Sequence, residues 1–309
     1  MNLALLVLNL VLAVLLAPIL DGLRRKLTAR LQNRVGPPIL QTWYDLLKLF
    51  RKETLLPETG GFLAMIVPVT TFTVSLSMFA VVPTITVEPP MEGGIIVFIH
   101  LAVLSAFLLA IAGSVSGNPY GIVGGSREVI LATIVEPSII VSLTNLAVLG
   151  RSMFFEEITE NIQTGDLYPW LAVAMIVYFV CIIAEGGRIP FDIPEAESEL
   201  TGGPMVEFSG KLLAFMKLGE LVRAIALYSV ARFFVNAFIP SYVIGDWLSF
   251  APLLPYFLTM VICTLVVSLA ESMNARFRLF EATKLSGYLL VVSSVTLILS
   301  LLTNSGGLM

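Results

Sequence analysis

Apolar residues recur along this chain in runs of about twenty, the length an α-helix needs to cross the hydrocarbon core of a bilayer. Eight runs stand out, near Asn2–Gly22, Phe62–Pro83, Ile95–Val115, Val129–Leu149, Pro169–Ala184, Leu212–Ala237, Pro252–Ala270 and Leu285–Thr303. The fifth is short and charge interrupts the sixth. Between the runs the chain turns polar, with Gly and Pro as punctuation. The pattern predicts an all-α integral membrane protein of eight transmembrane helices, a single polytopic domain without internal repeats. The first run has no basic region ahead of it and its cations follow it, so it reads as an anchor and not as a cleaved leader.

Charge placement tests this count independently. Eight spans put the loops Leu23–Gly61, Ser116–Glu128, Glu185–Lys211 and Glu271–Lys284 on one side. Together with Lys217 they hold fifteen of the eighteen Lys and Arg residues, while the other side holds only Arg151. Arg223 and Arg232 fall inside the sixth run. By the positive-inside rule the basic loops are cytoplasmic and both termini face out. The opposite loops are Thr84–Gly94, Gly150–Tyr168 and Phe238–Ala251. The second carries Glu156, Glu157, Glu160 and Asp166 and reads as a solvated acidic loop.

Composition narrows the chemistry. Charged residues make up 13% of the chain, about half of what soluble domains carry. A net charge of −4 gives no footing for nucleic acid. Cys181 and Cys263 lie far apart in apolar runs and read as packing thiols. The single histidine, His100, reads as an interior side chain. No spacing of ligands suits haem, iron–sulfur or zinc, so the chain is expected to bind no cofactor or metal itself. Nor is there a nucleophile–base pair or a phosphate loop.

Two polar segments carry more than connection. In the loop 23–61, Ile39, Leu40, Trp43, Leu46, Leu47 and Phe50 recur at helical spacing, with Gln41, Asp45, Lys48 and Lys52 on another face. This predicts an amphipathic helix over Ile39–Glu53, lying in the membrane interface with Trp43 and Tyr44 as anchors. It serves either as an anchor alone or as a platform for a peripheral subunit. The second segment, 185–211, contains EGGRIPFDIPEAESELTGGPMVEFSG. Asp192, Glu195, Glu197 and Glu199 crowd together there between Glu185 and Glu207. Paired glycines and three prolines favour a defined non-helical path, with a short helix through Glu195–Leu200.

Charges also occur where the membrane should be: Glu128, Glu136, Glu185, Lys217, Glu220, Arg223, Arg232 and Glu271. A charge at the centre of a span costs about 2.5 to 3.5 kcal/mol on insertion scales, so such residues pair or line wet cavities. Lys217, Glu220 and Arg223 are spaced three apart, and a structural ion pair accounts for them as well as a proton path does. Glu136 has no cation near it in sequence. It is either a protonated buried carboxyl or a partner for another helix. Carboxylate proton relay is the chemistry these residues suggest.

The segments LQNRVGPPILQTWYDLLKLFRKE (Leu31–Glu53) and GRIPFDIPEAESELTGGPMVEFSG (Gly187–Gly210) resemble two signature segments of a respiratory complex I family. That family is the H-type membrane subunit, which joins the redox arm to the ion-pumping arm. Span order and loop order agree over essentially the whole chain. In quinone-reducing members the stretch after the ESEL element reads like AGYHTEYSG. Here it is TGGPMVEFSG, without histidine. That form, and SREVILATIVEP (Ser126–Pro137), are similar to the homologous subunit of energy-converting nickel–iron hydrogenases and formate hydrogenlyases.

The resemblance implies a subunit in a prokaryotic cell membrane with no redox centre of its own. Its partners would be a hydrogenase-like large subunit, an iron–sulfur small subunit and antiporter-like membrane subunits. Iron–sulfur clusters and a nickel–iron centre would sit in those partners. It further implies that Arg34, Asp192, Glu195, Glu197, Glu199 and Glu207 form the cavity beside the redox arm. Glu128, Glu136, Glu185 and Glu220 would begin an acidic path into the membrane. A quinone-reducing complex and a stand-alone ion carrier are the competing expectations.

Overall fold

The computed structural model describes residues 3–57, 59–84, 91, 93–161, 169–238 and 253–306. Asp166 and most of Phe238–Ala251 lie outside them. The described residues are mostly helical, with no strand among them. In chain order the helices are α1 (Leu3–Leu31), α2 (Gln41–Arg51), α3 (Gly61–Val81), α4 (Gly94–Val115), α5 (Pro119–Leu149), α6 (Phe155–Asn161), α7 (Pro169–Glu185), α8 (Glu197–Leu200), α9 (Gly210–Phe238), α10 (Leu253–Met273) and α11 (Leu279–Gly306).

Six of them (α1, α3, α4, α5, α10 and α11) are long and apolar enough to cross a membrane. α7 is apolar but 17 residues long. α9 has 29 residues and is studded with charge. Its tolerance of that charge has a structural cause: every residue from Leu221 to Phe234 is buried. α9 packs against α1, α2, α3, α7 and α10, so its polar groups meet protein and not lipid. α5 is the second hub, touching α4, α7 and α11.

The aromatic core lies between these hubs. Tyr178 stacks on Phe234 at 5.1 Å between ring centres, and Phe155 on Phe233 at 4.7 Å. Phe155 belongs to α6, so the loop Gly150–Tyr168 is more than solvated connection. Its acidic Glu157 is exposed while Phe155 and Ile158 are fully buried beneath it.

Helices run past the apolar runs that announce them. α1 continues nine residues beyond Gly22, α5 begins at Pro119 and α10 reaches Met273. Asp21, Arg24, Glu128 and Glu271 are helical residues near the ends of spans, on the side of the central loop. The physical reason is that ion pairing between helices satisfies charges that lipid would not. α2 follows the amphipathic expectation but is shorter than Ile39–Glu53. It docks through buried Thr42 and Leu46, with Phe50 edge-on to Phe215 of α9 at 5.5 Å. Trp43 is half-buried and Tyr44 is exposed. His100 is a correction: it lies exposed on α4, its Nδ1 within 2.7 Å of the Ile96 carbonyl, and is no interior residue.

A candidate coupling site beneath the central loop

The segment between α7 and α9 is built as a folded plug. α7 ends at Glu185, and Gly187 turns the chain in the left-handed region (φ 59°). Phe191, Ile193 and Pro194 then bury themselves in the bundle. Gly203 also lies at positive φ (54°), and a side chain there would collide with the Pro194 carbonyl. Glycine is needed at that close approach. Phe277 donates its backbone N–H to the Pro190 carbonyl (2.9 Å), tying the plug to the turn after α10.

Beneath the plug two cavities meet. The outer one is a vestibule of about 500 Å³, lined by α1, α2, α9, α10 and the central loop. The inner one, about 40 Å³, holds a few waters at most and lies between α5, α7 and α9. Gly187, Arg188, Glu195 and Glu220 line both. These residues form the waist between vestibule and membrane interior.

The wall of the vestibule is an ion network that the sequence reading missed. Asp21 Oδ1 accepts from Arg24 at 2.7 Å, and the Asp21 carboxylate also pairs with Arg25 (3.1 Å) and Arg188 (3.5 Å). Thr42 of α2 donates its hydroxyl to Asp21 at 2.9 Å. Arg24 reaches on to Glu271 of α10, which also accepts from Thr28 (2.9 Å). Four elements are thus clamped by one buried carboxylate pair. The available signal was spacing: Asp21 precedes Arg24 by three and Arg25 by four, on one helix face.

The inner cavity has a different balance. Arg223 of α9 pairs with Glu185 of α7, and its guanidinium lies 3.9 Å from Glu128 of α5. Four carboxyls, Glu128, Glu185, Glu195 and Glu220, face two cations, Arg188 and Arg223, around this space. Acids in surplus over cations in a confined space make a site able to take up and release protons.

The triplet on α9 does not pair within itself. Arg223 turns to α5 and α7, Lys217 is exposed at the vestibule, and among the described residues no ion pair within 4 Å involves Glu220. Glu136, half-buried two turns beyond Glu128, lies outside both linings but within the electrostatic reach of Arg223. That cation on another helix was invisible in the linear sequence.

The acids of the central loop divide. Asp192 and Glu195 line the vestibule, and Arg276 holds Asp192 at 2.9 Å. Glu199 is mostly exposed and pairs with Arg127 of α5 at 3.0 Å. Glu207 accepts from Asn118, the residue that caps α5. These two fasten the loop to α5 and do not line the cavities. Arg34 lies exposed on the turn after α1, away from both linings. Nothing is described for the Glu197 side chain.

A family model described as NADH dehydrogenase matches residues 3–302. This chain belongs to the NADH dehydrogenase subunit 1 family. Within that family it is similar to formate hydrogenlyase subunit 4 of Escherichia coli (strain K12), 32% identical over 272 residues, or 85% of this chain and 87% of that protein. Hydrogenase-4 component C of the same organism is 35% identical over 276 residues, covering 87% and 86%. NADH-ubiquinone oxidoreductase chain 1 of Chondrus crispus is 32% identical over 228 residues, covering 71% and 70%. Among solved structures, a chain of the membrane-bound sulfane sulfur reductase, an archaeal respiratory membrane complex, superposes with a TM-score of 0.81. It covers 96% of this chain and 98% of that one at 23% identity, a likeness of fold. Multi-pass membrane architecture follows from the six apolar spans and these relatives together.

Proposed function

We propose that this family member anchors and couples a complex-I-like, membrane-bound oxidoreductase of the hydrogenase type. Electron transfer in a docked peripheral arm is linked through it to proton or sodium translocation. Two relatives that cover 85% and 87% of the chain, at 32% and 35% identity, carry formate hydrogenlyase and hydrogenase names, which supports this branch over the quinone-reducing one. In this reading the chain crosses the membrane eight times. Short α7 and charged α9 span because protein surrounds them. The basic vestibule side is cytoplasmic, in the cell membrane, and both termini lie outside. A hydrogenase-like large subunit and an iron–sulfur small subunit cover the vestibule and carry the iron–sulfur clusters and the nickel–iron centre. Antiporter-like subunits adjoin the membrane part.

The observation that carries the proposal is the shared waist. Glu195 and Glu220 face both the vestibule, where a peripheral subunit docks, and the inner cavity, where Glu128 and Glu185 meet Arg223. A change of charge or hydration in the vestibule reaches Glu220 directly. Glu220 then exchanges a proton with the inner carboxyls, and no redox chemistry is needed in this chain.

Purification tests the assignment. The tagged chain should co-purify with iron–sulfur subunits showing cluster signals by electron paramagnetic resonance. Reconstituted alone, it should move no ions. Ion transport by the isolated chain would make it a carrier and overturn the reading.

A further inference from the structure

One guanidinium near the waist is held far more loosely than its neighbours. Arg24 hydrogen-bonds both Asp21 and Glu271, Arg223 pairs with Glu185, and Arg276 lies 2.9 Å from Asp192. Arg188 has one ion pair, to Asp21 at 3.5 Å, and its buried Nε has no partner among the described residues. A guanidinium carries five N–H donors, and buried polar groups normally find partners. The backbone beneath this side chain is fixed. Arg188 N–H donates to the Ile183 carbonyl (3.1 Å), and the Arg188 carbonyl accepts from Phe191 N–H (2.7 Å). A firm base thus carries a loosely held arm.

The arm stands where three cavities meet. Besides the vestibule and the inner cavity, a third of about 20 Å³ lies between α1, α9 and α10, with Asp21, Arg24, Tyr228 and Thr264 in its wall. It has room for a water. Among the described residues, only Arg188 borders all three. Protein interiors are otherwise close-packed, so this side chain has space to change rotamer without moving a helix.

The carboxyls around it are unequally supplied with cations. Asp21 already has Arg24 and Arg25. Glu195 and Glu220 line the vestibule and the inner cavity together with Arg188. Among the described residues neither takes part in an ion pair within 4 Å. Glu220 lies within the electrostatic reach of Glu195, Arg188, Glu128 and Lys217. Moving Arg188 from Asp21 to Glu220 leaves no carboxylate bare, because two guanidiniums stay with Asp21. A removed partner would otherwise strand a buried charge at high cost.

We propose that Arg188 is a moving charge that switches partner between Asp21 and Glu220 as the charge in the vestibule changes, and so sets when Glu220 holds a proton. The inference deepens the coupling reading and rests on it. With Arg188 beside Asp21, the position seen here, Glu220 has no cation of its own and binds a proton. With Arg188 against Glu220 the carboxylate is favoured, and the proton passes to the inner carboxyls. Electron transfer in the docked arm supplies the change of charge. Arg188 itself stays protonated throughout and is a positioning residue.

Two measurements on the whole complex test it. In sealed vesicles, Arg188→Gln should lower ions moved per electron severalfold. An unchanged ratio beside a lowered one for Glu220→Gln overturns the proposal and leaves the coupling reading standing. Unchanged ratios in both remove both. The second measurement does not depend on assembly of the glutamine variant. Infrared difference spectra between the reduced and oxidised complex should carry a guanidinium C–N stretching band, because the guanidinium changes its hydrogen-bond partner. Arg188→Lys, which keeps the charge, should abolish that band. A band that persists unchanged in Arg188→Lys, or no such band in the wild type, makes Arg188 a fixed structural pair and overturns the proposal.

Discussion

At the scale of single residues, burial decides which ion pairs matter. Asp21 is almost wholly enclosed and meets three guanidiniums. Removing one member of such a buried network costs roughly 3–5 kcal/mol, because the remaining charges stay behind unpaired. Glu199 pairs with Arg127 while mostly exposed, and solvent-screened pairs contribute about 0–1 kcal/mol. Asp21→Asn should therefore lower the thermal midpoint of the purified complex by many degrees, and Glu199→Gln should barely move it. Similar shifts for the two would mean that the vestibule network is not structural. Glu136 makes a finer test. It lies outside both cavity linings, so Glu136→Gln lowers ion pumping only if the path continues along α5. Pumping equal to wild type would end the path at Glu128.

At the scale of elements, the plug between α7 and α9 fixes the waist. Gly203 combines positive φ with a collision between any added Cβ and the Pro194 carbonyl. Gly187 has positive φ but open space around it. Gly187→Ala should cost only the left-handed penalty, roughly 1–2 kcal/mol. Gly203→Ala must move the backbone beside Glu195 as well. Limited proteolysis should find the loop cut faster in the second variant than in the first; equal rates would show that the close approach does not hold the loop.

The same elements show what the sequence could say. The apolar runs located every long helix among the described residues, since that signal needs only local residues. It misjudged their ends on the side of the central loop, where cross-helix ion pairs such as Arg24 with Glu271 extend α1 and α10 past the apolar limit. The amphipathic pattern found α2, but not that Thr42 faces Asp21.

At the scale of the molecule, two hub helices organise everything. α9 is enclosed by protein and brings Glu220 and Arg223 to the cavities. α5 brings Glu128 to the inner one. Sequence reading recovered the acids because carboxyls in apolar surroundings are conspicuous. It could not see their partners, because Arg188 and Arg223 are distant in sequence and meet Asp21 and Glu185 only through helix packing. Nor could it divide the loop acids into Asp192 and Glu195, which face the vestibule, and Glu199 and Glu207, which tether the loop to α5.

All of this converges on the waist. The most direct measurement is the number of ions translocated per electron in sealed vesicles containing the whole complex with Glu220→Gln. The account predicts electron transfer that continues while translocation falls severalfold or more. Translocation per electron equal to wild type would show that the coupling does not pass through Glu220, and the central claim would fail.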